Sequence, residues 1–228
     1  MRGSRILSHE DEPFEDAWEA GRLLANELQA MRLPHAVVLG IPRGGVIVAS
    51  QIAGALGLPM DILLSHKIGY PGNPEAACGA VTEYGQVFLD QTLTKGIDEE
   101  YLGKEARRQL SLLKKRSQAI RKILPKLELR SKTVIITDDG VARGFTMLAG
   151  IRAARERQPL KIIAAIPIGP EETVAQITAE ADETLCLRSP RLFFGISQFY
   201  KSFRQIEEEE LFEILKGAAR SRAGGGIG

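Results

Sequence analysis

The stretch Thr133-Val-Ile-Ile-Thr-Asp-Asp-Gly-Val-Ala-Arg-Gly-Phe-Thr146 decides the fold that we predict for this chain. Its first five residues are apolar or β-branched on both faces, which is typical of a central strand in a parallel sheet. Asp138 and Asp139 follow at once, and Gly140 and Gly144 then lead into a pattern with helical spacing. This order of strand, glycine turn and helix indicates a parallel sheet that is covered by helices.

The segments on both sides alternate in the same way between short apolar runs and helical spacing. The predicted helices cover residues 14–31, 46–56, 99–124 and 171–181 and one that runs on from 146, and the predicted strands cover 36–39, 61–64, 80–83, 86–89, 133–137, 161–166 and 183–187. The strands at 80–83 and 86–89 are expected to form a hairpin. We therefore predict one α/β domain over residues 1–222, a doubly wound and mostly parallel sheet with a long extra helix, and a flexible glycine-rich tail over residues 223–228.

Composition and charge narrow the class of protein. The chain has 228 residues and a formal net charge of +1, so no whole-molecule field attracts nucleic acid or a membrane surface. No run of apolar residues approaches the roughly 20 that a membrane span needs, and the N-terminus lacks the apolar region of a signal peptide. We expect a cytoplasmic protein without membrane contact. Cys78 and Cys186 lack metal-ligand spacing, which favours core or loop positions.

The two adjacent aspartates are the main candidate site. Asp138 and Asp139 follow a central parallel strand, and open α/β sheets bind ligands at that edge. Neighbouring carboxylates repel unless cations or hydroxyl donors compensate them, and the ribose 2′- and 3′-hydroxyls are such donors. The turn with Gly140, Gly144 and Thr146 offers backbone N–H groups at a helix N-terminus for a terminal phosphate. The pattern predicts a ribose 5-phosphate site; a solvated acidic turn and the phosphoaccepting aspartate of a receiver domain are the alternatives.

Two further segments supply candidate ligand contacts. Arg43, Gly44 and Gly45 follow the first predicted strand, where glycines allow close backbone approach and the guanidinium suits phosphate oxygens. We interpret them as a diphosphate clamp, with a tight strand-to-helix turn as the alternative. Residues 67–79 are rich in glycine and proline and begin with Lys67. We predict a long loop there, which is either a mobile lid over a diphosphate or an irregular connection.

These motifs resemble those of the type I phosphoribosyltransferases. The stretch Val134–Thr146 looks like their binding motif for phosphoribosyl diphosphate, and Arg43–Gly45 looks like their diphosphate loop. Pro42–Gly45, Lys67–Glu75 and Gly79–Val81 are more similar still to a group of uncharacterised phosphoribosyltransferase-like proteins of bacteria and archaea. The resemblance covers residues 14–215 and implies the family's fold, with a small hood beside the sheet.

The resemblance also implies a reaction and the residues that perform it. The 5-phosphoribosyl group of phosphoribosyl diphosphate passes to an unidentified nitrogen acceptor, with Mg²⁺ as cofactor and through an oxocarbenium-like transition state. Asp138 and Asp139 bind the ribose diol, stabilise charge on the ring and contact the metal indirectly, through water or substrate. The implied diphosphate contacts are Arg43, Gly44 and Gly45, with Lys67 closing over them as a third catalytic residue. The implied 5-phosphate loop consists of Gly140, Val141, Ala142, Arg143, Gly144, Phe145 and Thr146.

Two positions depart from the family pattern. Ala142 stands where the 6-oxopurine enzymes have an aspartate that acts as a base, which disfavours a hypoxanthine or guanine acceptor. Arg143 replaces a frequent threonine; it either makes a charge-assisted phosphate contact or points outward. The segment Arg191–Tyr200 resembles the hood on which purine enzymes stack a base. Its four rings either stack on an acceptor or pack in the core, and they belong to Phe193, Phe194, Phe199 and Tyr200.

A basic run motivates a rival hypothesis. Residues 104–132 contain eleven lysines and arginines against only Glu105 and Glu128. Such a run is typical of a solvated helix face, and the acidic stretches near Glu10–Glu19 and Glu207–Glu210 are candidate partners. It would also suit a regulator that senses phosphoribosyl diphosphate and binds RNA or DNA, but only Tyr101 offers a nearby stacking ring, so the sequence disfavours nucleic acid. An apolar stripe on the same helix leaves a homo-oligomer open.

Overall fold

The computed structural model describes residues 3–224, without the side chains of residues 74, 75 and 224. The strands in this range are β1 (Gly3–Ser8), β2 (Val37–Gly40), β3 (Met60–Ile62), β4 (Ser65–Tyr70), β5 (Asn73–Thr82), β6 (Val87–Leu89), β7 (Thr133–Thr137), β8 (Lys161–Ile168) and β9 (Glu183–Arg188). The α-helices are α1 (Ala17–Gln29), α2 (Gly44–Leu56), α3 (Glu99–Arg121), α4 (Phe145–Arg155), α5 (Glu171–Glu180) and α6 (Glu208–Gly224), and a 3-10 helix spans Ile196–Phe199.

The main sheet has six parallel strands in the order β1-β9-β8-β7-β2-β3. Strand β7 is buried at all five positions, as its apolar sequence predicts for an inner strand. Helices α1, α2, α3 and α6 contribute to the hydrophobic cluster on one face, and α4 and α5 contribute to the cluster on the other. The predicted doubly wound, mostly parallel α/β fold with a long extra helix is confirmed.

The prediction of a long loop at residues 67–79 is wrong. These residues form most of β4 and β5, which pair antiparallel and continue to β6 as a second, three-stranded sheet. Gly72 makes the turn between β4 and β5 with a φ of 74°, and Gly79 lets β6 come close, since a Cβ there would lie 2.2 Å from the Phe88 carbonyl oxygen. The glycines and prolines that suggested a loop therefore serve a bulged hairpin, whereas the hairpin predicted between β5 and β6 is confirmed.

Two elements at the ends of the chain were not predicted. Strand β1 pairs parallel with β9 at the edge of the main sheet. It is mostly exposed there, and its sequence lacks the apolar run by which the inner strands were predicted. Helix α6 packs on α2 and β3. It continues through Gly224 and so covers the first two residues of the predicted tail, and residues 225–228 lie outside the described residues.

Buried ion pairs attach α3 to the main sheet. The Arg121 guanidinium bridges the carboxylates of Asp61 and Glu83, and Lys126 lies 2.9 Å from Glu83. Ser117 donates a hydrogen bond to Glu83 at 2.7 Å. Part of the basic run is therefore neutralised by acids of the sheets.

The predicted acidic partners of the basic run pair elsewhere. In the described chain, Glu15 contacts Lys201 and Glu210 contacts Arg204, so neither acidic stretch meets the run through these residues. The fold explains these pairings. The two acidic stretches lie near the starts of α1 and α6, whereas the basic run begins within α3 and continues beyond its end. The positions of the acidic residues along the sequence therefore did not indicate which of them would contact α3.

We expect Glu83→Gln to lower the free energy of unfolding by roughly 2 kcal/mol at pH 7, because the amide cannot compensate Arg121 and Lys126. Burial opposes ionisation of Glu83, but the charge of Arg121 and the hydrogen bonds of Lys126 and Ser117 outweigh it and lower its pKa. This stability is present above the unfolded pKa and is lost as the pH falls through the folded pKa, so wild type and variant should converge in acid. Urea unfolding at several pH values measures this, with the exposed Glu10→Gln as control; a gap that widens below pH 4 would contradict it.

Along residues 3–224, no helix combines the length and the apolar composition needed to cross a bilayer. Cys78 and Cys186 are both buried and unbridged, which confirms their assignment to the core. A cytoplasmic location stays a prediction.

Candidate functional site

A cavity of about 960 Å³ opens where β2, β3 and β7 end. The connections that follow these three strands form much of its wall, and the β4–β5 hairpin, α3 and the segment around the 3-10 helix complete it. Every residue predicted to contact the phosphoribosyl donor, except Gly45, lines this cavity. The parallel sheet thus brings together segments that are about 100 residues apart in the sequence.

Asp138 and Asp139 lie side by side at the end of β7. The Asp139 backbone N–H donates to Asp138 Oδ1 at 2.9 Å, and Tyr200 donates its hydroxyl hydrogen to the Asp139 backbone oxygen. In the described part of the chain, neither carboxylate has a salt-bridge partner within 4.0 Å. Burial, followed by the charge of Asp139, raises the pKa of Asp138 well above its usual range, and burial raises the pKa of Asp139 to about 6. The charge of Lys67 lowers both pKa values but does not cancel their rise. The negative charge of the two carboxylates is therefore not fully balanced by the protein, and we call the pair under-compensated.

The loop after the aspartates enters α4 through Gly144, which has a φ of 69°. The N–H groups of Phe145 and Thr146 lie in the first turn of α4, where helices leave N–H groups without intrahelical acceptors. Val141 differs from the rest of the predicted loop, since its side chain is buried and its N–H donates to the Ile168 carbonyl at 2.9 Å. The loop therefore offers N–H groups to an anion mainly from its second half.

The connection after β2 presses against the aspartate pair. A Cβ on Gly44 would lie 1.8 Å from Asp139 Oδ2, and a Cβ on Gly45 would lie 2.7 Å from Asp138 Cα. Gly45 is buried and is not among the residues that line the cavity, so its ligand contact stays a prediction. Arg43 is exposed in the cavity, and its Nη2 donates to Gln205 Oε1 at 3.1 Å.

Two further predicted cations face the same cavity. Lys67 is an exposed residue of β4, opposite Ala80 in the hairpin, and so it belongs to a strand and not to the predicted lid loop. Arg143 is exposed at the rim. In the described chain no hydrogen bond or ion pair holds Arg143, which leaves the guanidinium available to a phosphate.

The aromatic hood residues have different surroundings. Phe199 and Tyr200 are buried, and Phe199 stacks on Phe193 with ring centroids 5.4 Å apart. These three rings therefore pack in the core, which was one of the two alternatives. Phe194 is 88% exposed. None of the four rings lines the cavity. Ile196 and Ser197 of the predicted hood segment do line it, and so do three residues that follow this segment and were not predicted: Phe203, Arg204 and Gln205.

The sequence interpretation also missed the cavity residues contributed by β4 and α3. Ser65 and His66 begin β4, and Arg116 reaches the cavity from α3. Arg116 belongs to no local sequence motif that would connect it with the hairpin. Only the tertiary packing of α3 on β4 reveals it.

The structure bears on metal binding only through the aspartates. Within residues 3–224, no group of three or more histidine, cysteine, aspartate or glutamate side chains could by itself hold a metal ion. Asp138 and Asp139 together supply carboxylate oxygens, the ligand type that Mg²⁺ prefers. They fit an indirect partner of an ion that a substrate diphosphate carries.

Comparison with known proteins agrees with this geometry. A family model described as a phosphoribosyl transferase domain matches residues 15–200. Two curated proteins from two strains of Mycobacterium tuberculosis, whose names include the words phosphoribosyl transferase, are each 38% identical over 215 residues, covering 93% of this chain and 48% of the relative. The chain thus spans about half the length of these relatives. The crystal structure of a Thermus thermophilus protein matches with a TM-score of 0.77 and 38% identity, covering 90% of this chain and 98% of that one. The chain belongs to the phosphoribosyl transferase domain family.

Proposed function

We propose that this protein is a phosphoribosyltransferase that moves the 5-phosphoribosyl group from phosphoribosyl diphosphate to a nitrogen acceptor and releases diphosphate. The observation that carries the proposal is the under-compensated pair Asp138 and Asp139, which lies in one cavity between the start of α4 and the arginine loop after β2. The pair accepts hydrogen bonds from the two ribose hydroxyls. These donors compensate the carboxylates, which form no ion pair within the described chain.

The two ends of the donor suit the two sides of this pair. The first turn of α4, with Thr146 and the Arg143 guanidinium, binds the 5-phosphate. Arg43 and Lys67 bind the diphosphate. A donor that carries anions at both ends matches a cavity whose wall contains two carboxylates and the cations Arg43, Lys67 and Arg143.

The reaction breaks the bond between ribose C1 and the diphosphate oxygen, and it forms a bond between C1 and the acceptor nitrogen. The diphosphate leaves with the electron pair of the broken bond, and the acceptor nitrogen releases its proton to water. Positive charge develops on the ribose ring in the transition state. Asp138 and Asp139 stabilise that charge from the hydroxyl side, while Arg43 and Lys67 stabilise the charge that accumulates on the leaving group.

Mg²⁺ is the cofactor that we propose with this donor. When bound to the diphosphate, the ion neutralises charge on the leaving group. Asp138 and Asp139 would hold it indirectly, through water or substrate. Removing divalent ions with a chelator should therefore lower diphosphate release, and added Mg²⁺ should restore it.

The acceptor is a nucleobase other than a 6-oxopurine. Ala142 is exposed at the cavity, and its methyl group cannot accept a proton. Its backbone oxygen accepts a hydrogen bond from Thr173 Oγ1 at 2.8 Å, which fixes the loop at this position. The hood supplies Ile196, Ser197 and Phe203 as apolar and hydroxyl contacts for the base.

The activity is tested by incubating the protein with phosphoribosyl diphosphate, Mg²⁺ and a panel of bases, and measuring released diphosphate. We expect release that depends on one base of the panel. The variant Asp138→Asn with Asp139→Asn provides the background rate. Tight binding of phosphoribosyl diphosphate without turnover on any base, together with salt-sensitive retention of RNA, would instead identify the regulator.

A further inference from the structure

Two polar atoms in the cavity wall are buried and unpartnered within the described residues. They are Nε of Arg116 on α3 and Oγ of Ser65 at the start of β4. Both residues line the cavity, as does His66, and α3 packs on β4. The described chain also gives the Arg116 guanidinium no hydrogen bond or ion pair. Both atoms are shielded from solvent, so a ligand in the cavity would bond Arg116 through the outer guanidinium nitrogens, and Ser65 after rotation of its hydroxyl.

The order of the strands locates this pair of atoms relative to the proposed donor. Strand β2 lies between β7 and β3, so the arginine loop after β2 separates the aspartates after β7 from Ser65, which follows β3. The 5-phosphate loop leaves β7 towards α4. Ser65 therefore follows the strand on the far side of the arginine loop from the aspartates, and Arg116 belongs to α3, which packs on β4. We take this as the side that the proposed function assigns to the diphosphate.

The hood argues against an acceptor in this position. Tyr200 bonds to the Asp139 backbone oxygen, Ile196 contacts the Gly140 position, and Gln205 bonds to Arg43. The hood therefore covers the ends of β7 and β2, and an acceptor beneath it meets the ribose there. Arg116 comes instead from α3, which packs on β4 and β5.

We propose that Arg116, with Ser65, binds the outer phosphate of the donor's diphosphate, so that helix α3 completes the substrate site. This inference rests on the proposed function. The guanidinium donates to two phosphate oxygens, and the Ser65 hydroxyl donates to a third. Arg116 is thus a substrate-binding residue and a determinant of specificity for a diphosphate over a monophosphate at ribose C1.

Calorimetric titration of Arg116→Gln tests this inference with three ligands, each with Mg²⁺: phosphoribosyl diphosphate, inorganic diphosphate and ribose 5-phosphate. We expect the first two to bind about 10- to 30-fold more weakly, because a charge-assisted fork is lost, and ribose 5-phosphate to bind within twofold of wild type. Arg116→Lys should recover part of the loss, since it keeps the charge without the planar fork. Lys115→Gln, which changes an exposed neighbour on the same helix, is the matched control and should bind all three as wild type does.

The outcomes separate this inference from the function on which it rests. If the wild type binds phosphoribosyl diphosphate and Arg116→Gln binds it equally well, the inference is overturned and the function stands. A wild type that does not bind phosphoribosyl diphosphate overturns both. An equal loss for ribose 5-phosphate would show that Arg116 only supports the fold, and it too overturns the inference. Should Arg116→Gln fail to fold, Ser65→Ala decides, with an expected loss of about fivefold for the two diphosphate ligands alone.

Discussion

Replacing both site aspartates, as Asp138→Asn with Asp139→Asn, is expected to weaken the binding of phosphoribosyl diphosphate by at least about a thousandfold, or roughly 4 kcal/mol. Two neutral amides are weaker acceptors for the ribose hydroxyls, and their NH₂ groups add donors where only acceptors are useful. Calorimetric titration in the presence of Mg²⁺ measures the loss. Unchanged affinity in the double variant would remove the basis of the proposed site.

The stability of the same double variant provides the control. Because burial raises the pKa of Asp139 to about 6, this group contributes stability that is present below its unfolded pKa of about 3.9 and is lost as the pH rises through about 6. The amides do not titrate. The double variant should therefore unfold at an equal or higher temperature than wild type at pH 7, and its advantage should shrink towards pH 4. A variant that is already unfolded at the temperature of the titration would show that its loss of binding comes from loss of the fold.

The second large effect is expected from Gly44→Ala. Its Cβ would lie 1.8 Å from Oδ2, 2.4 Å from Cγ and 2.8 Å from Cβ of Asp139. The Asp139 side chain is too short to avoid this clash without a shift of its own backbone. Either the arginine loop or Asp139 must therefore move. A displacement of about 1 Å at a catalytic constellation is enough for a hundredfold loss, and we expect at least that in diphosphate release.

Gly54→Ala is the matched control for Gly44→Ala. Gly54 is an exposed residue of the same helix α2, and nothing lies within 4 Å of the position of its Cβ. Alanine should leave diphosphate release unchanged and raise the free energy of unfolding by about 0.5–1 kcal/mol. Equal activity in the two alanine variants would show that Gly44 does not position Asp139.

The sequence predicted the parts of the fold and site that depend on neighbouring residues. Strand β7 could be predicted because all of its residues are apolar or β-branched, and the aspartates follow it directly. The order of strands and helices then placed Arg43 and Asp138 at one edge of a parallel sheet, where the structure has them. The proposed roles of these residues remain predictions.

The features that could not be predicted depend on contacts between distant segments. Glycines at positions 72 and 79 suggested a loop, but one makes a hairpin turn and the other admits a neighbouring strand. Arg116 belongs to a basic run that is indistinguishable from a solvated helix face, and only the packing of α3 on β4 brings it to the cavity. The pairing of Arg121 with Asp61 and Glu83 is likewise invisible in the sequence.

A crystal structure of the protein soaked with phosphoribosyl diphosphate and Mg²⁺ tests the proposed site most directly. We predict the ribose hydroxyls on the carboxylates of Asp138 and Asp139, the 5-phosphate at the first turn of α4 and the diphosphate beside Arg43. A donor bound outside this cavity, or carboxylates that turn away from a ribose inside it, would contradict the proposal.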